Sequence, residues 1–268
     1  MKSVLLYANP DAGLESRLQA ALDVTRLFEG HLTCLQVTPY DSFIMGDPFG
    51  GIYALPTMIE QVRRTADEHR ERMEQRLRGE GVAWDWLRFD GAPAQLIVDR
   101  ARLCDLIVLS LPGDDRSAGV QDIAADVLVH ARSPVLAVPP AGRGLDALGP
   151  AMIAWDGSLE ASHALRLTLP MLKQASAVHV VTIAQGHREF PATDASHYLA
   201  RHGISSELHE KAAAGRSTAA ALLAAAASLS AAWLVMGAYG HTRLREAMLG
   251  GATRDMLHTS NVPLLLAH

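Results

Sequence analysis

The chain has 268 residues, 49% hydrophobic and 20% charged, with a net charge of -5 when histidine is taken as neutral. That length holds one large domain or two of ordinary size, and the composition is that of a soluble globular protein with material for a sizeable core. The mildly acidic balance removes the broad positive field on which non-specific nucleic-acid binding rests, so no nucleic-acid partner is expected.

Residues 4–8 are a short apolar run closed by Asn9, Pro10, Asp11 and Gly13, which predicts a buried strand ending in a turn. The polar turn also comes too early for a signal-peptide core or a membrane span of ~20 residues, so no membrane partner is expected. Apolar residues at helical spacing predict a helix over 14–28, with Gly30 as its stop, and a strand over 32–37. An irregular stretch over 38–56 carries Phe43, Met45, Phe49 and Ile52, which cap a pocket or simply pack. The charge-rich run 57–78 reads as a solvated helix.

A strand follows at 82–89 and a helix at 94–102. Residues 105–110 are apolar on both faces and belong at the centre of a sheet. A helix over 120–131 and a strand over 134–138 finish the first half, and Pro139, Pro140, Gly142 and Gly144 read as a linker. Cys34 and Cys104 show neither metal-like spacing nor a disulfide framework, which suits a reducing compartment and a cytoplasmic protein.

The second half repeats the order: strand 151–155, helix 159–173, strands 178–183 and 204–209, helix 218–229, strand 233–236, a helix from about 250, and strand 263–266. The run 104–109 matches 231–236 in character, and 132–137 matches 261–266. A period this long is a duplicated domain rather than a solenoid. Two domains are expected, 1–140 and 149–268. Alternating strands and helices predict right-handed crossovers and a mainly parallel sheet, with ligands at the carboxyl ends of its strands near a switch in strand order.

The strand 233–236 ends in Gly237, Ala238, Tyr239 and Gly240, and after nine residues Gly250, Gly251, Ala252 and Thr253 open a helix. Glycines at a strand's carboxyl end let backbone N–H groups approach a ligand, and a helix start exposes unpaired donors at the positive end of its dipole. Thr253 adds a hydroxyl, and Arg243 and Arg245 add charge. From the residues alone, two readings stand: a cradle for phosphate, or turn and cap glycines with no ligand.

This segment, with its preceding strand and its Asn261-Val262-Pro263 ending, resembles the signature of the universal stress protein family: glycine, two residues, glycine, nine residues, glycine, then a small hydroxyl residue. The resemblance implies a tandem protein of two five-stranded α/β half-domains, adenine-nucleotide alpha-hydrolase-like, each with strand order 3-2-1-4-5. They would be packed as an internal pseudo-dimer in place of the family's homodimer, with further homo-oligomers open. It implies an adenine nucleotide, ATP or else AMP or ADP, bound in the second domain with magnesium accompanying it. Residue by residue, Asp156 falls at the acidic position near the ribose and Ile183 where main chain meets the adenine. Met236, Gly237, Gly240, Gly250, Gly251, Ala252 and Thr253 fall on the ribose and phosphate loop.

The sequence departs from that pattern at Gly251, where Ser or Thr is expected; the lost hydroxyl contact is worth about 1–2 kcal/mol. Trp155 is bulky beside the base, placed either to stack on it or to fill its place. In the first half, residues 111–122 lack the later glycine pair and carry Asp114, Asp115 and Asp122, so like charge should repel a nucleotide there.

The twelve histidines show no strong zinc spacing and read as scattered surface groups, so no dedicated metal site is expected. Ser158 lies in no nucleophile elbow and reads as a helix N-cap. With neither a Walker loop nor kinase motifs, no catalytic residues are assigned and turnover is not expected. The expected function is nucleotide-dependent sensing or partner regulation in a stress response. A nucleotide-free scaffold, a slow ATP hydrolase, or another nucleotide-handling enzyme on this fold remain the alternatives.

Overall fold

Runs that are apolar on both faces become the inner strands of each half. The computed structural model describes residues 1–39, 45–46, 52–53, 56–112, 123–184, 190–239 and 251–268. In the first half these form β1 (Ser3–Tyr7), β2 (His31–Thr38), the short pair β3 (Met45–Gly46) and β4 (Ile52–Tyr53), β5 (Ala83–Asp90), β6 (Leu106–Ser110) and β7 (Val135–Val138). In the second they form β8 (Ala151–Ala154), β9 (Val178–Ala184), β10 (Glu207–Ala212), β11 (Trp233–Gly237) and β12 (Leu264–Ala267). The helices are α1 (Leu14–Leu27), α2 (Pro56–Leu77), α3 (Pro93–Arg100) and α4 (Ile123–His130), then α5 (Leu159–Leu172), α6 (Ala192–Arg201), α7 (Thr218–Ser228) and α8 (Gly251–Thr259).

The main sheet runs β10-β9-β8-β11-β12-β7-β6-β1-β2-β5. Counted within each half, that is the expected order 3-2-1-4-5, and neighbours within a half are parallel. The halves join where β12 pairs antiparallel with β7, Leu265 opposite Leu136. The two five-stranded sheets therefore fuse edge to edge into one of ten strands, which is how the internal pseudo-dimer is built. Both joining strands are wholly buried, and their pairing removes an apolar edge from each half.

Successive strand residues point to opposite faces, so the sheet feeds two cores. One gathers Leu6 and Val108 with Leu18 and Leu22 of α1, Met73 and Leu77 of α2, Leu165 of α5 and Leu199 of α6. The other gathers Leu5 and Ile107 with Ile97 of α3, Val127 of α4, Leu222 of α7 and Met256 of α8. Helix α2 buries Ala66, His69, Met73 and Leu77, one stripe at helical spacing, and its remaining face is laced with pairs such as Arg70–Glu74. The linker is packed: Leu145 and Ala147 are buried, and the Leu145 N–H donates to the Asp23 carboxylate at 3.0 Å.

Two elements differ from the sequence reading. Helix α6 was not expected, because only Ala195 and Leu199 of it are buried, too thin an apolar stripe to announce a helix. The strand expected at 204–209 lies at Glu207–Ala212 instead. Ile204, whose N–H donates to the Leu199 carbonyl at 3.0 Å, closes α6, and the strand itself is a polar edge with no apolar alternation to mark it. Of the stretch 38–56, Phe43 and Phe49 lie outside the described residues, and Met45 and Ile52 contribute backbone pairing in β3 and β4.

Candidate functional site

Parallel register brings the carboxyl ends of β9, β8 and β11 side by side. Ala154 pairs with Val181 on one flank and Met236 on the other, so Trp155 and Asp156 leave β8 between Ile183 and Gly237. The strand order switches between β8 and β11, the place where open α/β sheets leave a crevice. Ile183 and Met236 are 4% and 6% exposed, so what they can offer a ligand is main chain.

Asp156 is exposed, and its Oδ1 accepts the Ser158 N–H at 3.0 Å and the Ser158 hydroxyl at 2.6 Å. Ser158 is the N-cap of α5, its Oγ accepting the Ala161 N–H at 3.1 Å. Gly157 between them adopts φ +77°, and an added Cβ would lie 2.6 Å from the Phe190 carbonyl oxygen, so the turn requires glycine. Trp155 donates its indole N–H to that same carbonyl at 3.1 Å and packs in the α5 and α6 core. It is a packing residue, not a stacking platform.

The two ends of the predicted loop are tied together. The Tyr239 N–H donates to Thr253 Oγ1 at 3.3 Å, across a chain interval whose residues 240–250 lie outside those described. Tyr239 holds φ +62°, a left-handed conformation that a bulky residue adopts only under constraint. Its neighbour Ala238 is held by Ala267, whose carbonyl accepts its N–H at 2.8 Å, and by the His268 ring, which donates to its carbonyl at 2.9 Å. Thr253 is itself 5% exposed, so its hydroxyl serves this closure first.

Gly237 and Gly251 have opposite surroundings. A Cβ on Gly237 would lie 2.5 Å from the Ala161 nitrogen and 2.6 Å from the Glu160 carbonyl carbon, because the first turn of α5 packs on the strand end. Among the described residues nothing lies within 4 Å of a Cβ added to Gly251, which with Ala252 opens the first turn of α8. Gly240, Gly250, Arg243 and Arg245 lie outside the described residues, as do Asp114, Asp115 and Asp122 of the first-half loop.

By register through the sheet, Asn9, Val37 and Ser110 are the first-half counterparts of Asp156, Ile183 and Gly237. There the crevice is filled by the chain's own groups. Asn9 Nδ2 donates to the Val37 carbonyl at 2.6 Å, and Asn9 Oδ1 accepts the Val37 N–H at 2.8 Å. Arg17, 1% exposed, donates through Nε to the Tyr7 carbonyl at 2.6 Å and through Nη1 to Ser110 Oγ at 3.0 Å. Its remaining donors reach the Asp11 carboxylate and the Asn9 carbonyl. His69 of α2 lies 2.7 Å from the Ala8 carbonyl oxygen, and burial pushes the Tyr7 phenol up to about 12. Sequence reasoning looked to the acidic loop of the first half, which lies outside the described residues, and missed Arg17, which sits on the helix that opens against the crevice.

Burial pushes the Cys34 thiol up to about 12 and raises that of Cys104, which favours the protonated thiol in both. Among the described residues no helix is long and apolar enough to cross a membrane.

The model of the universal stress protein family matches residues 149–268, the half that carries the glycine loop. No curated protein matches the chain. Among solved structures, the chain is similar to a universal stress protein from Archaeoglobus fulgidus, with 16% identity and a TM-score of 0.78 over 99% of this chain and 96% of that one. It is also similar to a putative universal stress protein from Pseudomonas aeruginosa, with 19% identity and a TM-score of 0.62 over 99% and 92% of the two chains. At these identities the likeness is one of fold, and it extends through both halves.

Proposed function

We propose, on the premise that residues 149–268 belong to the universal stress protein family, that this chain binds one adenine nucleotide in its second half. Acting in the cytoplasm, it would serve a stress response by nucleotide-dependent sensing or regulation of a partner. ATP is the ligand of choice, with magnesium accompanying the phosphates, and turnover is not part of the reading. The observation that carries it is a difference between the halves. The position that Asp156 holds in the second half is taken in the first by Asn9, which with Arg17 is bonded into the first half's own crevice.

The assigned roles follow the chemistry. Asp156, an exposed carboxylate just beyond the end of β8, suits a ribose hydroxyl. The main chain at Ile183 suits an adenine edge, as Val37 suits the amide of Asn9. The first turn of α8, where no described residue crowds Gly251, suits phosphate oxygens through its N-terminal N–H donors and the helix dipole, with Gly240 and Gly250 completing the loop.

A nucleotide-free scaffold is the second reading, favoured by one observation: Gly237 and Thr253 both have packing or closure work of their own. Thermal unfolding with and without millimolar ATP separates the two. A rise in Tm with ATP concentration is expected from binding to the folded state, and a constant Tm would leave the scaffold.

A further inference from the structure

Two histidines and a glutamate meet at the amino-terminal end of β9 and β10, far from the crevice. The parallel register sets Glu207 directly opposite His179, with His209 two residues along the same face of the edge strand. His179 Nδ1 lies 3.1 Å from His209 Nε2, and Glu207 Oε2 lies 3.5 Å from the first and 3.6 Å from the second. The imidazoles are tilted by 56°, their centroids 5.2 Å apart. The His179 and His209 side chains are 11% and 21% exposed, while that of Glu207 is 72% exposed, so the cluster is sheltered on its imidazole side and open to water on the other.

A triangle with those three sides has a circumradius of about 2.0 Å, and zinc binds imidazole nitrogen and carboxylate oxygen at roughly 2.0–2.2 Å. The spacing of the three atoms therefore suits a metal ion at their centre. Two nitrogens and one oxygen suit a borderline ion and not magnesium or calcium, which take oxygen ligands. We propose that His179, Glu207 and His209 form a binding site for a divalent transition-metal ion of the zinc class, with water as the fourth ligand.

Coordination uses His179 as its Nε2–H tautomer and His209 as its Nδ1–H tautomer, so the proton between the facing nitrogens moves to the far side of a ring and no change of charge is needed. The ion ties β10, exposed along most of its length, to the buried strand β9. His179 and Ile183 are four residues apart on β9, about 13 Å, so the site is separate from the nucleotide crevice and independent of that reading.

The test is titration of untagged, metal-free full chain with Co2+ and then Zn2+, in the absence of nucleotide. One equivalent of cobalt should give the intense visible bands of a four-coordinate ion, and zinc should displace it. His179→Ala and His209→Ala should each weaken binding roughly 100-fold or more, since loss of even an outer-shell partner costs about 10–100-fold. Glu207→Gln replaces an exposed carboxylate by a neutral amide of the same shape, with no burden on folding, and should weaken binding in the same direction. Absence of the cobalt bands in the wild type, or one-equivalent binding that survives Glu207→Gln and either histidine substitution, would overturn the proposal.

Discussion

Asn9 occupies both main-chain polar groups of Val37, donating to its carbonyl at 2.6 Å and accepting its N–H at 2.8 Å. An amide side chain thus takes in the first half the backbone edge that Ile183 carries in the second. With Arg17 anchored alongside, this half should be stable because it is filled. Arg17→Met should destabilise the protein by roughly 2–4 kcal/mol, as the Tyr7 and Asn9 carbonyls lose their donors. Urea unfolding measures that loss, and ATP stoichiometry should not change.

Gly237 and Gly251 should respond oppositely to a side chain. Gly237→Ala drives a methyl into the backbone of Glu160 and Ala161 and should cost about 1–3 kcal/mol of stability. Gly251→Ser meets no described residue, should leave stability within about 0.5 kcal/mol, and supplies the hydroxyl missing from the loop. Its ATP affinity should rise by about 5- to 30-fold, the equivalent of about 1–2 kcal/mol. Unfolding curves and nucleotide titrations of the pair check both statements.

Thr253→Val preserves shape and deletes the acceptor that holds the Tyr239 N–H. The expected cost is about 1 kcal/mol in stability, with weaker ATP binding because the loop ends are no longer tied. An unchanged affinity in this variant would mean that the Tyr239–Thr253 closure does not shape the site.

His69 should make stability depend on pH. Burial is the main cause holding its imidazole below the ordinary value of 6.5, reinforced by Arg72 and Arg17, while the Ala8 carbonyl and Asp11 pull the other way. Folding therefore favours the neutral ring. Its contribution is complete above about pH 6.5 and is lost as pH falls below that value towards the folded pKa. His69→Gln keeps a donor for Ala8 but cannot take up the proton, so its stability should fall less steeply on acidification. Equal slopes for the two proteins would contradict this role.

Much of the fold was legible because its inner strands are short apolar runs punctuated by glycine and proline, and because the second half repeats the first. The fusion at Leu136 and Leu265 was not, since an edge strand and a central strand carry the same apolar sequence. Of the candidate site, the sequence located the strand end and helix start around Gly237 and Gly251. It could not reveal that Gly237 makes room for α5 or that Thr253 is engaged by Tyr239, because both depend on packing across the chain. Arg17 was hidden for the same reason. The His179, Glu207 and His209 cluster was hidden because its histidines are thirty residues apart and meet only through strand pairing.

The most direct test of the central claim is a calorimetric titration of the full chain with ATP. One nucleotide per chain should bind, and the same stoichiometry should persist in Arg17→Met while Asp156→Asn, which keeps an acceptor for Ser158, binds more weakly. No heat at millimolar ATP, or two nucleotides per chain, would contradict the account.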